Sequence, residues 1–272
     1  MRQPSKQTGF SLIEMIIVIS ITAIVGAMVA TFLRVPIDSY VAQDRRARLT
    51  DSADTALRRM GRDIRLALPN SVRVTTVGTT IYLEFLITRT GGRYRAEGGG
   101  DILDFTGADN SFDVLGPTPT PPIQMGDLIA VSNLGITGAD AWESGAGSTL
   151  ATFTGMAGST ISIAPKQFPL ASPGNRFQVV EGPVTYVCTP NAVTPNLGTL
   201  TRVWGYPLAL SLSGQPTGFP AGTPQALLAR QVRACTILYQ AGIGSLVSMT
   251  LELTQAGETV RLHSNSQVSN QP

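Results

Sequence analysis

The chain has 272 residues, 43% of them apolar, and a formal net charge of +2. A chain of this size and composition can bury one good hydrophobic core. Its near balance of charges excludes a general electrostatic attraction to nucleic acid or acidic lipid. Glycine and proline together make up about a sixth of the residues, which favours a turn-rich β structure over a helical bundle.

An apolar run near the N-terminus is the first predicted element. The 24 residues from Phe10 to Leu33 contain a single charge, that of Glu14. A helix of this length crosses a bilayer core of roughly 30 Å with some tilt. The run is too long for the apolar core of a secretory signal peptide. A carboxylate near the end of a spanning helix costs about 2–3 kcal/mol on insertion scales unless it finds a partner, so Glu14 requires an explanation.

The sequence around that carboxylate, GFSLIEMIIVISI from Gly9 onward, resembles the class III signal of type IV pilins and type II secretion pseudopilins. In that superfamily a prepilin peptidase cleaves after the glycine and methylates the new amine. The resemblance therefore implies a leader of residues 1–9, cleavage between Gly9 and Phe10, and N-methylation of Phe10. It also implies that Glu14 accepts the amine of a neighbouring subunit during assembly. The alternative is an ordinary membrane anchor with an isolated glutamate.

The same resemblance implies the partners and the location of the protein. The partners are the prepilin peptidase, other pilins (major and minor) through the N-terminal helix, an inner-membrane assembly platform, and membrane lipid. Basic residues flank the apolar run on both sides, so their count does not set the orientation. The resemblance implies a single-pass protein of the inner membrane with its leader in the cytoplasm and its head in the periplasm, and later in a pilus at the cell surface. Removing residues 1–9 leaves 18 basic and 18 acidic side chains.

Residues 34–68 are predicted to extend the helix into water. Asp44 with Arg48 and Asp54 with Arg58 are spaced for i,i+4 ion pairs, and Pro36 predicts a kink or short break. Interleaved aspartates favour a solvated, salt-bridged face over a nucleic-acid surface. Apolar residues recur at steps of three and four and form one stripe: Leu49, Ala53, Ala56, Leu57, Met60, Ile64, Ala67 and Leu68.

From residue 69 to residue 272 the pattern predicts a β-rich globular head. Alternating apolar residues begin after Ser71, and Gly91-Gly92 predicts a turn between strands. The segment DILDF from Asp101 predicts a short strand, and Gly182 a strand boundary. The predicted fold class is α+β: a long N-terminal helix, membrane-spanning over residues 10–33 and amphipathic over 34–68, packed on an antiparallel β-rich head.

The chain has two cysteines, Cys188 and Cys235, both in strand-like contexts. In an exported protein an even number of cysteines usually forms bridges, so the sequence predicts a disulfide between them. Two buried free thiols are the alternative.

The last hundred residues carry a second resemblance. Four strand-like segments, 177–188, 199–207, 227–239 and 245–253, follow one another in an order similar to that of the MshO group of minor pilins of the mannose-sensitive haemagglutinin (MSHA) pilus. This resemblance implies a minor pilin that assembles into, primes or tips such a pilus. A J-type minor pseudopilin of type II secretion shares every N-terminal feature and is the alternative.

The sequence supplies no set of residues for catalysis, so no enzyme, cofactor or metal is expected. His263 is the single histidine, and no GxSxG motif marks a nucleophile. Four acids in a glycine-rich region fit a solvated loop better than a Ca²⁺ site: Asp101, Asp104, Asp109 and Asp113. An adhesin with a glycan-binding head would use Tyr94, Trp142, Trp204 and Tyr206. DNA binding is not expected, since it would require Arg73, Arg89, Arg93 and Arg95 to gather on one face.

Overall fold

One long helix opens the described part of the chain. The computed structural model describes residues 9–212, 214–242 and 245–270, without the side chains of 33–38. Residues 1–8 of the expected leader lie outside that part. Helix α1 comprises Leu12–Arg65 and continues through Pro36, so the break that the proline predicts does not occur. The contacts between residues of the chain divide it into two compact units, Met1–Arg48 and Leu49–Pro272.

The second unit, Leu49–Pro272, which is called the head from here on, is built mainly of antiparallel strands, as the sequence predicts, so the α+β fold class is confirmed. A short helix, α2, comprises Ala209–Leu212. The strands are β1 (Arg73–Val77), β2 (Thr80–Tyr94), β3 (Asp109–Leu115), β4 (Leu128–Ala130), β5 (Leu150–Ala157), β6 (Thr160–Lys166), β7 (Arg176–Thr189), β8 (Thr199–Trp204), β9 (Gln225–Arg230), β10 (Val232–Gln240), β11 (Leu246–Gln255) and β12 (Glu258–Gln267).

Strands β2 and β7 pair along almost their whole length, from Ile81 opposite Cys188 to Arg93 opposite Arg176. One half of this pair belongs to an open sheet, in which β1 flanks β2 and β8 and β9 follow β7. The register shifts twice around Thr88, with Glu181 of β7 and Arg89 of β2 each left without an opposite residue. Because such bulges bend a strand and increase its twist, the second halves of β2 and β7 can enter a different arrangement.

The second halves of β2 and β7 close a ring of strands with the segment between them. The pairing runs β2–β3–β6–β5–β4–β7 and returns to β2. Its interior is filled by large side chains, including Tyr94, Phe112 and Phe177. The middle third of the chain is therefore a small, side-chain-filled barrel inserted between two long strands.

A three-stranded sheet, β10–β11–β12, completes the second unit. Gln231 has a φ of 61° and separates β9 in the large sheet from β10 in the small one. The helical segment from Leu49 onward shares one hydrophobic core with both sheets. The core thus joins the helix, the open sheet and the small sheet.

The pair Gly91-Gly92 does not form a turn, contrary to the prediction, but lies inside β2. A Cβ at Gly91 would lie 2.7 Å from the carbonyl oxygen of Phe177, and one at Gly92 would lie 2.8 Å from its ring. The glycines are therefore explained by the close approach of β7. Two further predictions fail: the segment 101–105 has no strand, and Gly182 lies inside β7 rather than at its boundary.

Candidate assembly site

The junction between Gly9 and Phe10 lies just outside the helix. Both residues are exposed and have no regular secondary structure, and the helix begins at Leu12. Proteases bind substrate segments whose backbone is extended, a conformation that helical residues do not have. The bond expected to be cleaved is therefore in a region that a peptidase can reach without unwinding the helix.

Ser11 and Glu14 cap the start of the helix reciprocally. The Glu14 N–H donates to the Ser11 hydroxyl oxygen at 3.3 Å, and the Ser11 N–H donates to a Glu14 carboxylate oxygen at 3.5 Å. This arrangement is a capping box, in which each of the two side chains accepts a hydrogen bond from the backbone N–H of the other residue in the first turn of the helix. Sequence reasoning missed the role of Ser11, although S-x-x-E before an apolar run is the recognised signal for it.

The segment that follows is long and apolar enough, by length and composition, to cross a membrane over Leu12–Phe32. Every side chain along it is exposed within the isolated chain. Its hydroxyl groups donate to backbone carbonyls one turn earlier: Ser20 to Ile16, Thr22 to Val18 and Thr31 to Ala27. These polar groups are satisfied inside the helix, so Glu14 is left as the group that gains most from an external partner.

The geometry allows Glu14 to bind a cation. A carboxylate has about four acceptor positions, and the capping contact at 3.5 Å is long for a charge-assisted hydrogen bond. The helix N-terminus also favours a negative charge at this position. The carboxylate can therefore keep its capping role and accept a further donor from a neighbouring chain.

In the head, the apolar stripe predicted on the helix is confirmed. All eight of its members are buried. Seven of them lie in the core shared with both sheets, and Leu68 lies in a neighbouring cluster with Leu86 and Val180. The two expected ion pairs are also present between exposed side chains of the helix: Asp44 with Arg48 at 3.0 Å in the first unit, and Asp54 with Arg58 at 2.6 Å in the second. The helix ends at Arg65 rather than at Leu68, because the Leu68 N–H donates to the Leu86 carbonyl of β2 instead.

A buried carboxylate, Asp63, fastens the last turns of the helix to the open sheet. It accepts hydrogen bonds from the Tyr186 hydroxyl at 2.8 Å and from the Arg202 Nε at 2.7 Å, and it pairs with Arg59 at 3.1 Å. Burial, and then the Asp63 charge, raise the pKa of Tyr186 well above its ordinary value. The phenol therefore stays protonated and remains a donor, so the cluster holds helix and sheet together.

A second buried carboxylate, Glu84, ties the segment after β8 to the sheet. It accepts hydrogen bonds from the hydroxyls of Tyr206 and Ser211, each at 2.6 Å, and pairs with Arg73 at 2.7 Å. The Arg73 guanidinium in turn lies 3.9 Å from the ring centre of Trp142. Burial, and then the Glu84 charge, raise the pKa of Tyr206 strongly. This cluster is a structural fastener, since its donors and acceptors are used within the head.

The predicted disulfide between Cys188 and Cys235 is present. It joins β7 of the open sheet to β10 of the small sheet, and Cys188 is fully buried. The bridge crosses the same core that receives the helix, so it holds the two sheets on either side of that contact together.

The four acids considered for Ca²⁺ do not converge on a common point. The Asp113 carboxylate accepts from the Thr160 hydroxyl at 2.7 Å, and this bond, with others, lowers its pKa. The Asp104 carboxylate accepts from the backbone N–H of Thr106 at 2.8 Å. Within the described residues no group of three or more His, Cys, Asp or Glu side chains could hold a metal ion. These carboxylates act as acceptors that close loops.

The arginines and aromatic residues considered for other partners are used inside the head. Arg73, Arg89 and Arg95 pair with Glu84, Asp127 and Asp113. Arg93 donates to the Gly174 carbonyl. Of the aromatic set, Tyr94, Trp142 and Tyr206 are buried and Trp204 stacks on Arg202. His263 lies on the exposed side of β12 beside Thr250.

Comparison with known proteins supports the interpretation of the N-terminus as a processing and methylation motif. Residues 4–30 match a family model described as the prokaryotic N-terminal methylation motif. No curated protein and no solved structure matches the chain. The matched motif supports a type IV pilin-like or pseudopilin-like protein, which implies processing by a prepilin peptidase and assembly with other pilins.

Proposed function

We propose that this chain is a minor pilin of an MSHA-type type IV pilus, processed between Gly9 and Phe10 and assembled through its N-terminal helix. The observation that carries the proposal is the start of that helix. An exposed, non-helical Gly-Phe junction is followed directly by a capped apolar helix with one carboxylate, within the matched motif. The matched motif is that of a structural protein of a fibre, so we assign the head a structural rather than an enzymatic role.

Assembly follows from the electrostatics of that helix. Cleavage after Gly9 leaves a positively charged amine on Phe10, close to the membrane-spanning segment. The Glu14 carboxylate of one chain and the amine of another then neutralise each other as their helices stack. Because each isolated charge is costly in a low-dielectric medium, pairing both charges favours the assembled state over the single chain.

The head contributes by holding the helix residues from Leu49 onward in place. The buried stripe from Leu49 to Ile64 and the Asp63 cluster hold the helix to the sheets, and the disulfide joins the two sheets across the same core. The MSHA type, as opposed to a J-type pseudopilin of type II secretion, rests on the order of the segments in the last hundred residues.

Replacing the carboxylate tests the proposal. Glu14→Ala is expected to leave membrane insertion unchanged, because the substitution makes the segment more apolar. It should strongly reduce co-purification with the other pilin subunits of the same cell. Ser20→Ala is the matched control, since the Ser20 hydroxyl is satisfied within its own helix. Normal co-purification of the Glu14 variant would contradict the proposed assembly role.

The identity of the co-purifying subunits separates the two pilin alternatives. Recovery with subunits encoded beside MSHA pilus genes supports the proposed pilus. Recovery with pseudopilins encoded beside type II secretion genes would replace it with the J-type role.

A further inference from the structure

Strand β12 forms an open edge of the small sheet. It pairs with β11 over ten consecutive residues without a register shift, from Gln255 opposite Glu258 to Leu246 opposite Gln267. In the described chain no strand lies on its other side. Such an edge presents unpaired N–H and C=O groups, and proteins usually protect it with prolines, bulges or short strands. β12 has ten residues, no proline and no bulge.

The other sheet edges differ from β12. β1 and β9 are short, with five and six residues, and the pairing of β9 is interrupted by a register shift. β10 carries a shift near Val232 and is tied down by the disulfide at Cys235. β12 is therefore the edge best able to accept another strand.

A groove of about 460 Å³ lies between β12 and helix α1. It is lined by Ser264 and Asn265 of the strand and, on the helix, by Thr55, Leu57, Arg58, Gly61, Arg62 and Arg65. The inward side chains Val260 and Leu262 are only partly buried against the core. A strand added at this edge would cover them and complete the burial of the core on that side.

The groove contains two arginines whose positive charges are not paired with carboxylates of the described head. Arg58 pairs with Asp54. Arg62 and Arg65 are exposed, and no ion pair to either is present among the described side chains. Neighbouring arginines on the same helix, Arg59 and Arg48, do have carboxylate partners. Two free guanidinium groups beside a strand edge complement carboxylates on the incoming segment.

We propose that β12 is a docking edge for an extended, acidic segment of a partner protein. The segment adds as a fourth strand to the β10–β11–β12 sheet, with backbone hydrogen bonds to β12 and carboxylates on Arg62 and Arg65. Strand addition supplies affinity through the backbone, and side-chain pairing supplies selectivity. The proposal concerns the head alone and does not depend on which fibre the N-terminal helix enters.

Binding of a defined peptide to the full processed chain, in non-ionic detergent micelles, tests this proposal. The probe is a short fluorescent peptide of alternating Glu and Val, followed by anisotropy. Two control peptides accompany it: one with Lys in place of Glu, and one with alternate backbone nitrogens methylated. The acidic peptide is expected to bind saturably and more weakly as salt rises, while both controls bind at least about tenfold more weakly.

A double variant locates the site on the protein. Arg62→Gln with Arg65→Gln is expected to weaken binding of the acidic peptide about tenfold, the effect of losing two exposed charge pairs. Arg230→Gln is the matched control, an exposed arginine on β9 at the edge of the other sheet, and should bind as the parent does. No saturable binding, equal binding of the methylated peptide, or an unchanged affinity in the double variant would each overturn the proposal.

Discussion

At the scale of single residues, the buried carboxylates Asp63 and Glu84 connect parts of the chain that are far apart in sequence. Asp63 on the helix meets Arg202, 139 residues later, and Glu84 on β2 meets Tyr206, 122 residues later. A buried carboxylate is tolerated only when paired and hydrogen-bonded. Both sites meet that condition, each through an arginine and a tyrosine.

Replacing Asp63 is expected to destabilise the head severely. Asp63→Ala leaves the Arg202 guanidinium, whose side chain is 11% exposed, without its partner, and breaking a buried pair costs about 3–5 kcal/mol. The matched change Asp54→Ala removes a carboxylate from an exposed pair on the same helix and should cost less than about 1 kcal/mol. Denaturant unfolding of the purified chain, followed by near-UV circular dichroism, measures both. Equal losses would contradict the fastening role of Asp63.

The raised pKa of Tyr206 predicts a loss of stability in alkali. Below about pH 10 the phenol is protonated in both the folded and unfolded states, so its contribution is fully present. Above that pH the unfolded chain releases the proton while the folded chain keeps it, so the free energy of unfolding falls as pH rises, by about 1.4 kcal/mol per pH unit for each such tyrosine.

Unfolding measured between about pH 9 and pH 11 checks this linkage. Tyr206→Phe lowers stability at neutral pH by removing a hydrogen bond, and it should also make the alkaline slope shallower. A slope in the variant equal to that of the parent would show that Tyr206 ionises normally in the folded head.

At the scale of elements, the periodicity of the sequence predicted some features well. A step of three and four identified the buried apolar residues of the helix from Leu49 to Ile64, and i,i+4 spacing identified its exposed ion pairs, because both depend on neighbours one turn away. The Asp63 and Glu84 clusters were not predictable, since their partners are brought together only by strand pairing. Ser11 could have been predicted, because its capping signal is local.

The Gly91-Gly92 pair shows why a turn signal can mislead. Glycine marks turns because it allows unusual backbone angles, but here it allows two strands to approach closely. Gly91→Ala is expected to destabilise the head by about 1–3 kcal/mol, the usual cost of overpacking, because the new Cβ would meet the Phe177 backbone. Gly155→Ala, in β5 with no atom within 4 Å of the new Cβ, is the matched control. Equal unfolding midpoints for the two variants would contradict the close-approach explanation.

At the scale of the whole molecule, the sequence predicted a β-rich head but not its division. The inserted barrel is closed by pairings between β2 and β7, whose residues are about a hundred positions apart, and no local pattern specifies such a closure. Its strands read as ordinary alternating segments. The disulfide was predictable because the chain has two cysteines, which can pair in a single way within the chain.

Loss of the disulfide is expected to lower the stability of the whole head. The bridge closes a loop with a sequence separation of 47, and the chain-entropy description gives about 4 kcal/mol for a loop of that length. Replacing both cysteines by alanine should therefore lower the free energy of unfolding by about that amount while the fold is retained. A change below about 1 kcal/mol would mean that the bridge adds little to the core that it crosses.

The central claim is that the mature chain begins at Phe10 with a methylated amine, so that a cation becomes available to Glu14. Intact-mass and N-terminal peptide mass spectrometry of the protein purified from its own cell membrane tests it most directly. The predicted result is a chain lacking residues 1–9 and carrying one added methyl group on the Phe10 nitrogen. A chain that keeps Met1 through Gly9, or one trimmed beyond Leu33, would contradict the claim and the assembly role built on it.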